Sequence, residues 1–124
     1  MAKILVVDDD AKNLKLAVTV LEQAGHEVRG ASGGAEGVAA ALAEAPDLVL
    51  MDVQMPGVDG FEALRRLRAD PRTAALKVAA FTALAMKGDA ERLLAAGFDG
   101  YLEKPMRYKE FLASVVALLR GKDE

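Results

Sequence analysis

The sequence predicts an α/β fold, a five-stranded parallel sheet with helices on both faces. Three observations predict it. Five short apolar runs alternate with five stretches of helical periodicity, and strict strand–helix alternation closes into a parallel sheet. The strongest strand runs are apolar without alternation, as strands covered on both faces are. A length of 124 residues, with 52% hydrophobic and 28% charged, suits one domain that buries its own core without staples.

The elements follow in order. Lys3–Val7 is a buried strand closed by acids. Leu14, Ala17, Val18 and Leu21 recur at helical spacing, and Gly25 stops that helix. Glu27–Ala31 is a weak strand, expected at an edge. Ala35, Val38, Ala39 and Leu42 stripe the second helix, with Ser32 placed to cap it and Pro46 closing it. Asp47–Met51 holds the third strand. After Asp52 the loop V-Q-M-P-G-V-D-G delays the third helix, for which Asp59 is a turn or cap residue and which Phe61, Leu64 and Leu67 stripe. Arg65, Arg66 and Arg68 fall between them and read as a solvated face. Asp70–Pro71 breaks this helix. Lys77–Phe81 is the fourth strand and Met86–Ala96 the fourth helix, stopped by Gly97. Phe98–Leu102 is the fifth strand. Phe111, Val115, Leu118 and Leu119 stripe the last helix, ended by Gly121. Nothing reads as a linker or a second domain, and the tail 121–124 reads as a frayed end.

Composition removes several classes of function. There is no cysteine, so thiol nucleophiles, thiolate metals and disulfides are excluded. His26 is the only histidine and sits in a turn, where it reads as a surface residue, so a His-rich zinc site cannot form. Net charge is −3, from 16 basic and 19 acidic residues, which is poor equipment for holding nucleic acid through phosphates. No stretch free of charge exceeds nine residues, against the roughly 20 that a membrane helix needs. The first residues, one Lys and then a strand-like run, lack the n-region, h-region and cleavage-site order of a signal peptide. The expectation is a cytoplasmic protein.

In open parallel sheets, ligands bind beyond the carboxyl ends of the strands. Asp8, Asp9 and Asp10 follow the first strand and Asp52 the third. Thr82 follows the fourth, and Lys104 and Pro105 follow the fifth. Asp10 suits a helix cap better than a metal. Carboxylates gathered on one rim repel unless a counter-ion joins them. Mg²⁺ suits one or two carboxylates, a carbonyl and waters beside a phosphate. A carboxylate so placed can become an aspartyl phosphate, with Lys as a mobile charge for phosphate oxygens.

The runs I-L-V-V-D-D-D, L-V-L-M-D-V-Q-M-P-G-V-D-G, A-F-T-A and Y-L-E-K-P, in that order and each at a strand end, resemble the receiver domain of two-component response regulators. The resemblance covers nearly the whole chain and is of the single-domain type, residues 1–124 with no output domain. It implies a flavodoxin-like strand order 2-1-3-4-5. It implies Asp52 as phosphoacceptor and a Mg²⁺ held by Asp8, Asp9, Asp52 and the Gln54 backbone carbonyl. Lys104 would hold the phosphate, with a cis bond to Pro105. Thr82 and Tyr101 would be the switch pair, and the side chains of Gln54 and Leu84 would tune the phosphate's lifetime. The implied partners are a sensor histidine kinase or histidine phosphotransfer protein, and a downstream protein met through the fourth helix, fifth strand and fifth helix. Lys87, Arg92, Glu103, Arg107, Tyr108 and Lys109 are the exposed candidates there. No direct nucleic-acid contact is implied, and the chain would be a monomer or weak dimer.

Three other readings compete. A small Mg²⁺-dependent phosphatase or phosphotransferase would use the same Asp52, but no insert closes a pocket and no second acid beside Asp52 serves a leaving group. A flavin or nucleotide module needs a Gly-rich phosphate loop where Asp8-Asp9-Asp10 would repel the ligand. The third is a receiver cut from a longer DNA-binding regulator; Met1 and the charged end favour a complete protein.

Overall fold

The computed structural model describes residues 2–83, 89–104 and 107–120. The elements are β1 (Lys3–Val7), α1 (Ala11–Gln23), β2 (Glu27–Ala31), α2 (Gly34–Glu44), β3 (Leu48–Met51), α3 (Gly60–Ala69), β4 (Val78–Thr82), α4 (Asp89–Ala96), β5 (Gly100–Glu103) and α5 (Tyr108–Arg120). The strands form one sheet in the order β2-β1-β3-β4-β5. Every pairing is parallel, with Leu5 opposite both Arg29 and Val49 and Ala80 opposite both Met51 and Tyr101.

Side chains alternate faces along a strand, and here both faces are buried. Leu5, Val7, Val49, Met51, Val78 and Ala80 pack with Ala40, Ala41, Leu64, Leu67 and Leu93 from α2, α3 and α4. Ile4, Val6, Leu48, Leu50 and Ala79 pack on the other face with Ala17, Leu21, Phe111 and Val115 from α1 and α5. This two-sided cover is why the strand runs are uninterrupted. β2 is an edge strand, largely exposed, as its weak pattern implies.

Asp10 and Asp59 are N-caps, accepting from the N–H groups of Lys12 and Asn13 and of Glu62 respectively. The Asp10 bonds are 3.0 and 3.2 Å and the Asp59 bond 2.9 Å.

The second helix departs from expectation. Its cap is Gly33, and the Ser32 hydroxyl donates instead to Glu36 Oε1 at 2.5 Å. Ala35 and Ala39 are exposed, and the buried face is Gly34, Gly37, Ala40 and Ala41. The reason is close approach. A Cβ on Gly37 would lie 2.7 Å from a Val7 methyl, and one on Gly34 only 2.1 Å from the Val58 carbonyl oxygen.

Three further corrections concern the sheet's far edge and its neighbours. β5 starts at Gly100 because Phe98 turns into the core and the Asp99 N–H bonds the Val78 carbonyl at 2.7 Å. Arg68 is not part of a solvated face: it bonds Leu76 O, Ala74 O, Gly97 O and Asp99 Oδ2. Arg65 and Arg66 are exposed and pair with Glu62, as a solvated face would. His26 is only half-exposed, and its Nδ1 accepts the Ala2 N–H at 3.3 Å, tying the turn to the start of β1. The start expected for the fourth helix, residues 86–88, and Gly121 lie outside the described residues.

Candidate functional site

The parallel ladders run one residue past the strands. Asp8 N–H bonds Ala31 O at 3.0 Å, and Asp52 N–H bonds Val7 O at 2.9 Å. Asp8 and Asp52 therefore leave adjacent strands, β1 and β3, at the same rim. This is also where the strand order reverses, the usual place for a ligand in such sheets. Lys104 arrives likewise: its N–H bonds Thr82 O at 2.9 Å, so it follows β5 beside the end of β4.

The side chains meet. Asp8 is 2% exposed and Asp52 8%, while Asp9 faces solvent. Asp8, Asp9 and Asp52 each offer a carboxylate oxygen, and these oxygens lie within 4.8 Å of one another. Lys104 Nζ pairs with Asp8 Oδ2 and stands 3.5 Å from Asp52 Oδ2. Asp8 Oδ1 accepts the Asp10 N–H at 2.9 Å, and Asp52 Oδ1 accepts the Gln54 N–H at 3.3 Å. The lysine ammonium also lies 5.2 Å from the centre of the Phe81 ring, a cation–π distance.

Burial sets the electrostatics. It pushes the Asp52 carboxyl up from an ordinary 3.8 to about 6. The Lys104 charge works against that rise, Asp8 adds to it, and the Gln54 N–H opposes it.

Thr82 closes β4 and is buried. Gln54 is exposed, one residue into the loop after Val53. Tyr101 stands on the edge strand β5, 44% exposed and paired with Ala80. Leu84 and Pro105, with the cis bond expected there, lie outside the described residues, as does Lys87. Gly60 explains the tight loop after Asp52, since a Cβ there would meet the Asp52 carbonyl oxygen at 2.4 Å.

Two features were missed in the sequence. The Phe81 ring beneath Lys104 was signalled only by its position before Thr82. A groove of about 460 Å³ runs beside Lys104, lined by Leu16, Ala17, Val20, Phe81, Tyr108 and Phe111. Its residues come from α1, β4 and α5, so no local pattern announces it.

The donor set suits a hard cation. All three groups are carboxylate oxygens, gathered within 4.8 Å of one another, and such oxygens are the ligands Mg²⁺ prefers. The arrangement gathers negative charge on one buried acid and sets an ammonium beside it. That is equipment for handling a phosphoryl group.

The comparisons with known proteins agree. The profile of the response regulator receiver domain family matches residues 4–116. The chain is 43% identical over 123 residues to the DNA-binding dual master transcriptional regulator RpaA of Synechocystis, covering 99% of this chain and 51% of that protein. It is 40% identical over 121 residues to protein PilH of Pseudomonas aeruginosa, covering 98% of this chain and all of PilH. Among solved structures it resembles the chemotaxis protein CheY4 of Vibrio cholerae, with a TM-score of 0.87, 29% identity, and 94% and 97% of the two chains covered. The chain thus spans about half the length of one of these relatives and the whole of another.

The chain belongs to the response regulator receiver domain family. It is a phosphoacceptor signalling domain. Receiver domains interact with histidine kinases and downstream partners. Among the described residues, no helix is long and apolar enough to cross a membrane.

Proposed function

We propose that Asp52 is the phosphoacceptor of this receiver. A Mg²⁺ held by Asp8, Asp9, Asp52 and the Gln54 carbonyl supports it, and the donor is a sensor histidine kinase or histidine phosphotransfer protein. The observation that carries this reading is the buried Asp52 carboxyl, close to two further carboxylates and 3.5 Å from the Lys104 ammonium.

An Asp52 oxygen attacks the donor's phosphorus, the bond from phosphorus to the imidazole nitrogen breaks, and the imidazole leaves with the electron pair and takes up a proton. Bound Mg²⁺ would neutralise phosphoryl oxygens and the crowded carboxylates. Lys104 exchanges its hold on the carboxylates for the new phosphoryl oxygens. Positioning and charge neutralisation suffice for phosphoryl transfer, so the chain catalyses only its own phosphorylation and dephosphorylation.

Thr82 ends β4 beside Lys104, and its hydroxyl follows the phosphoryl group. Tyr101 responds on the exposed edge strand. The readout surface is α4, β5 and α5, where Arg92, Glu103, Arg107, Tyr108 and Lys109 are exposed. The protein works in the cytoplasm as a monomer or weak dimer, through protein partners and not through nucleic acid. The Gln54 and Leu84 side chains set the lifetime of the phosphate.

Radiolabelled acetyl phosphate with Mg²⁺ tests the acceptor. Wild type takes label, and Asp52→Asn takes less than about a hundredth as much, since the nucleophile is gone. Equal labelling of Asp52→Asn removes the assignment. Leu84→Glu should change the half-life of the phosphorylated chain at least severalfold, read by the decay of label.

A further inference from the structure

Arg68, in the last turn of α3, reaches four acceptors. Nη1 donates to Leu76 O at 2.6 Å and Ala74 O at 3.0 Å. Nη2 donates to Gly97 O at 2.9 Å and Asp99 Oδ2 at 3.0 Å. Asp99 Oδ2 also accepts the Val78 N–H at 2.8 Å, and the Asp99 N–H bonds Val78 O at 2.7 Å. One guanidinium therefore joins α3, the approach to β4 and the turn that ends α4.

That turn is a helix C-terminus. Gly97 follows α4 with φ +113°, and its N–H bonds Leu94 O at 3.1 Å. The last carbonyls of a helix lack partners along it and carry its negative end, so a guanidinium there serves both needs. The planar fork meets several acceptors at once, which a lysine cannot do.

The location gives the contact its meaning. The chain leaves β4 at Thr82, on the acidic rim, and returns through α4 to Asp99 at the opposite edge, beside Val78. The helix on the proposed readout surface thus has one end toward the site and the other under Arg68.

We infer that Arg68 is a positioning residue for signalling. It anchors the far end of α4, so that a change at Thr82 turns the helix about that end instead of shifting it whole. This rests on the reading of Asp52 and Thr82 given above. The anchor converts a small displacement at the rim into a directed one at β5 and α5, because a lever needs a fixed end.

Amide hydrogen exchange of the full chain, with and without Mg²⁺ and beryllofluoride, tests it on wild type, Arg68→Gln, Arg68→Lys and Asp99→Asn. Arg68→Gln should bind beryllofluoride within about twofold of wild type, because it lies at the other edge of the sheet from Asp52. Exchange over residues 93–100 should rise at least about tenfold, as a local opening costs less. The change that beryllofluoride makes across α4 and β5 should fall below about a third of its wild-type size. Arg68→Lys should restore less than half of it. Asp99→Asn keeps an acceptor for the Val78 N–H and weakens only the ion pair; it should show the same trend at smaller size, and it reads the anchor if Arg68→Gln does not fold. Unchanged exchange over residues 93–100 overturns the anchor. A full beryllofluoride response in a variant loosened there makes Arg68 merely structural. A wild type that takes no beryllofluoride overturns the site assignment and the coupling with it, while exchange over 93–100 still judges the anchor.

Discussion

At the scale of single residues, the burial of Asp52 shows in its acidity. Its carboxyl titrates at about 6 in the fold against 3.8 ordinarily, so the folded chain binds that proton more tightly than the unfolded one. The stabilisation from this proton is full below about pH 4 and is lost as pH rises through about 6. With a chelator present, Asp52→Asn should therefore gain on wild type between pH 4 and pH 7, by at most about 3 kcal/mol at about 1.4 kcal/mol per unit. Urea unfolding of both proteins across that range checks it, and a difference that stays constant with pH argues against the raised value. Lys104 is the counterweight, since it touches Asp8 and approaches Asp52. Lys104→Met should cost about 3–5 kcal/mol at pH 7, because two buried carboxyls then face each other without a cation. The same urea series reads it, and Lys104→Met should carry the Asp52 titration step to higher pH.

At the scale of elements, the β3–α3 connection shows how backbone packing fixes the site. Gly60→Ala would bring a Cβ to 2.4 Å from Asp52 O and 2.7 Å from Val53 Cα, and both are backbone atoms that cannot rotate away. It should cost about 1–3 kcal/mol or more, as overpacking does, and should also slow labelling of Asp52 by shifting the loop that carries it. Denaturation and the acetyl phosphate assay on the same variant read the two effects together; full stability would mean that the loop has slack. The neighbouring elements divide by what a sequence can express. Apolar runs revealed the central strands, and charged residues at strand ends revealed the Asp8, Asp9, Asp52 and Lys104 rim, because burial on two faces and charge at a ladder's end are both written in residue type; β2, at an edge, left only a weak pattern. The caps Asp10 and Asp59 were legible for the same reason. The buried face of α2 was not. Gly34 and Gly37 pack there by lacking a side chain, and hydrophobic periodicity gives a missing atom no weight. Arg68 was misread because its partners are three carbonyls and the Asp99 carboxylate, up to 31 residues away, and an arginine between apolar positions looks the same whether it meets water or backbone. The start of β5 slipped because Phe98 is apolar enough for a strand but is used to pack against Phe61, with ring centroids 6.0 Å apart.

At the scale of the whole molecule, folding itself assembles the acidic rim. Asp8 and Asp9 are more than forty residues from Asp52 along the chain, and an unfolded ensemble keeps them apart; the fold brings their oxygens within 4.8 Å. That crowding opposes folding unless a cation joins it, so Mg²⁺ should bind the folded chain and hardly the unfolded one. Mass action then fixes the consequence. A ligand present at tenfold over its dissociation constant stabilises by about 1.4 kcal/mol. For a domain of this size that raises Tm by about 4–8 °C. The rise should shrink below pH 6, where the Asp52 carboxyl holds a proton that the metal must displace. It should largely vanish in Asp52→Asn and in Asp8→Asn, each of which removes one charge from the rim. Thermal melts with MgCl₂, and with NaCl at matched ionic strength, separate this from general screening, which would act almost equally on the wild type, with its net charge of −3, and on variants that differ from it by a single charge. Equal shifts in wild type and both variants would mean that the rim holds no cation, and the phosphoacceptor chemistry would then lack the ion it was fitted with.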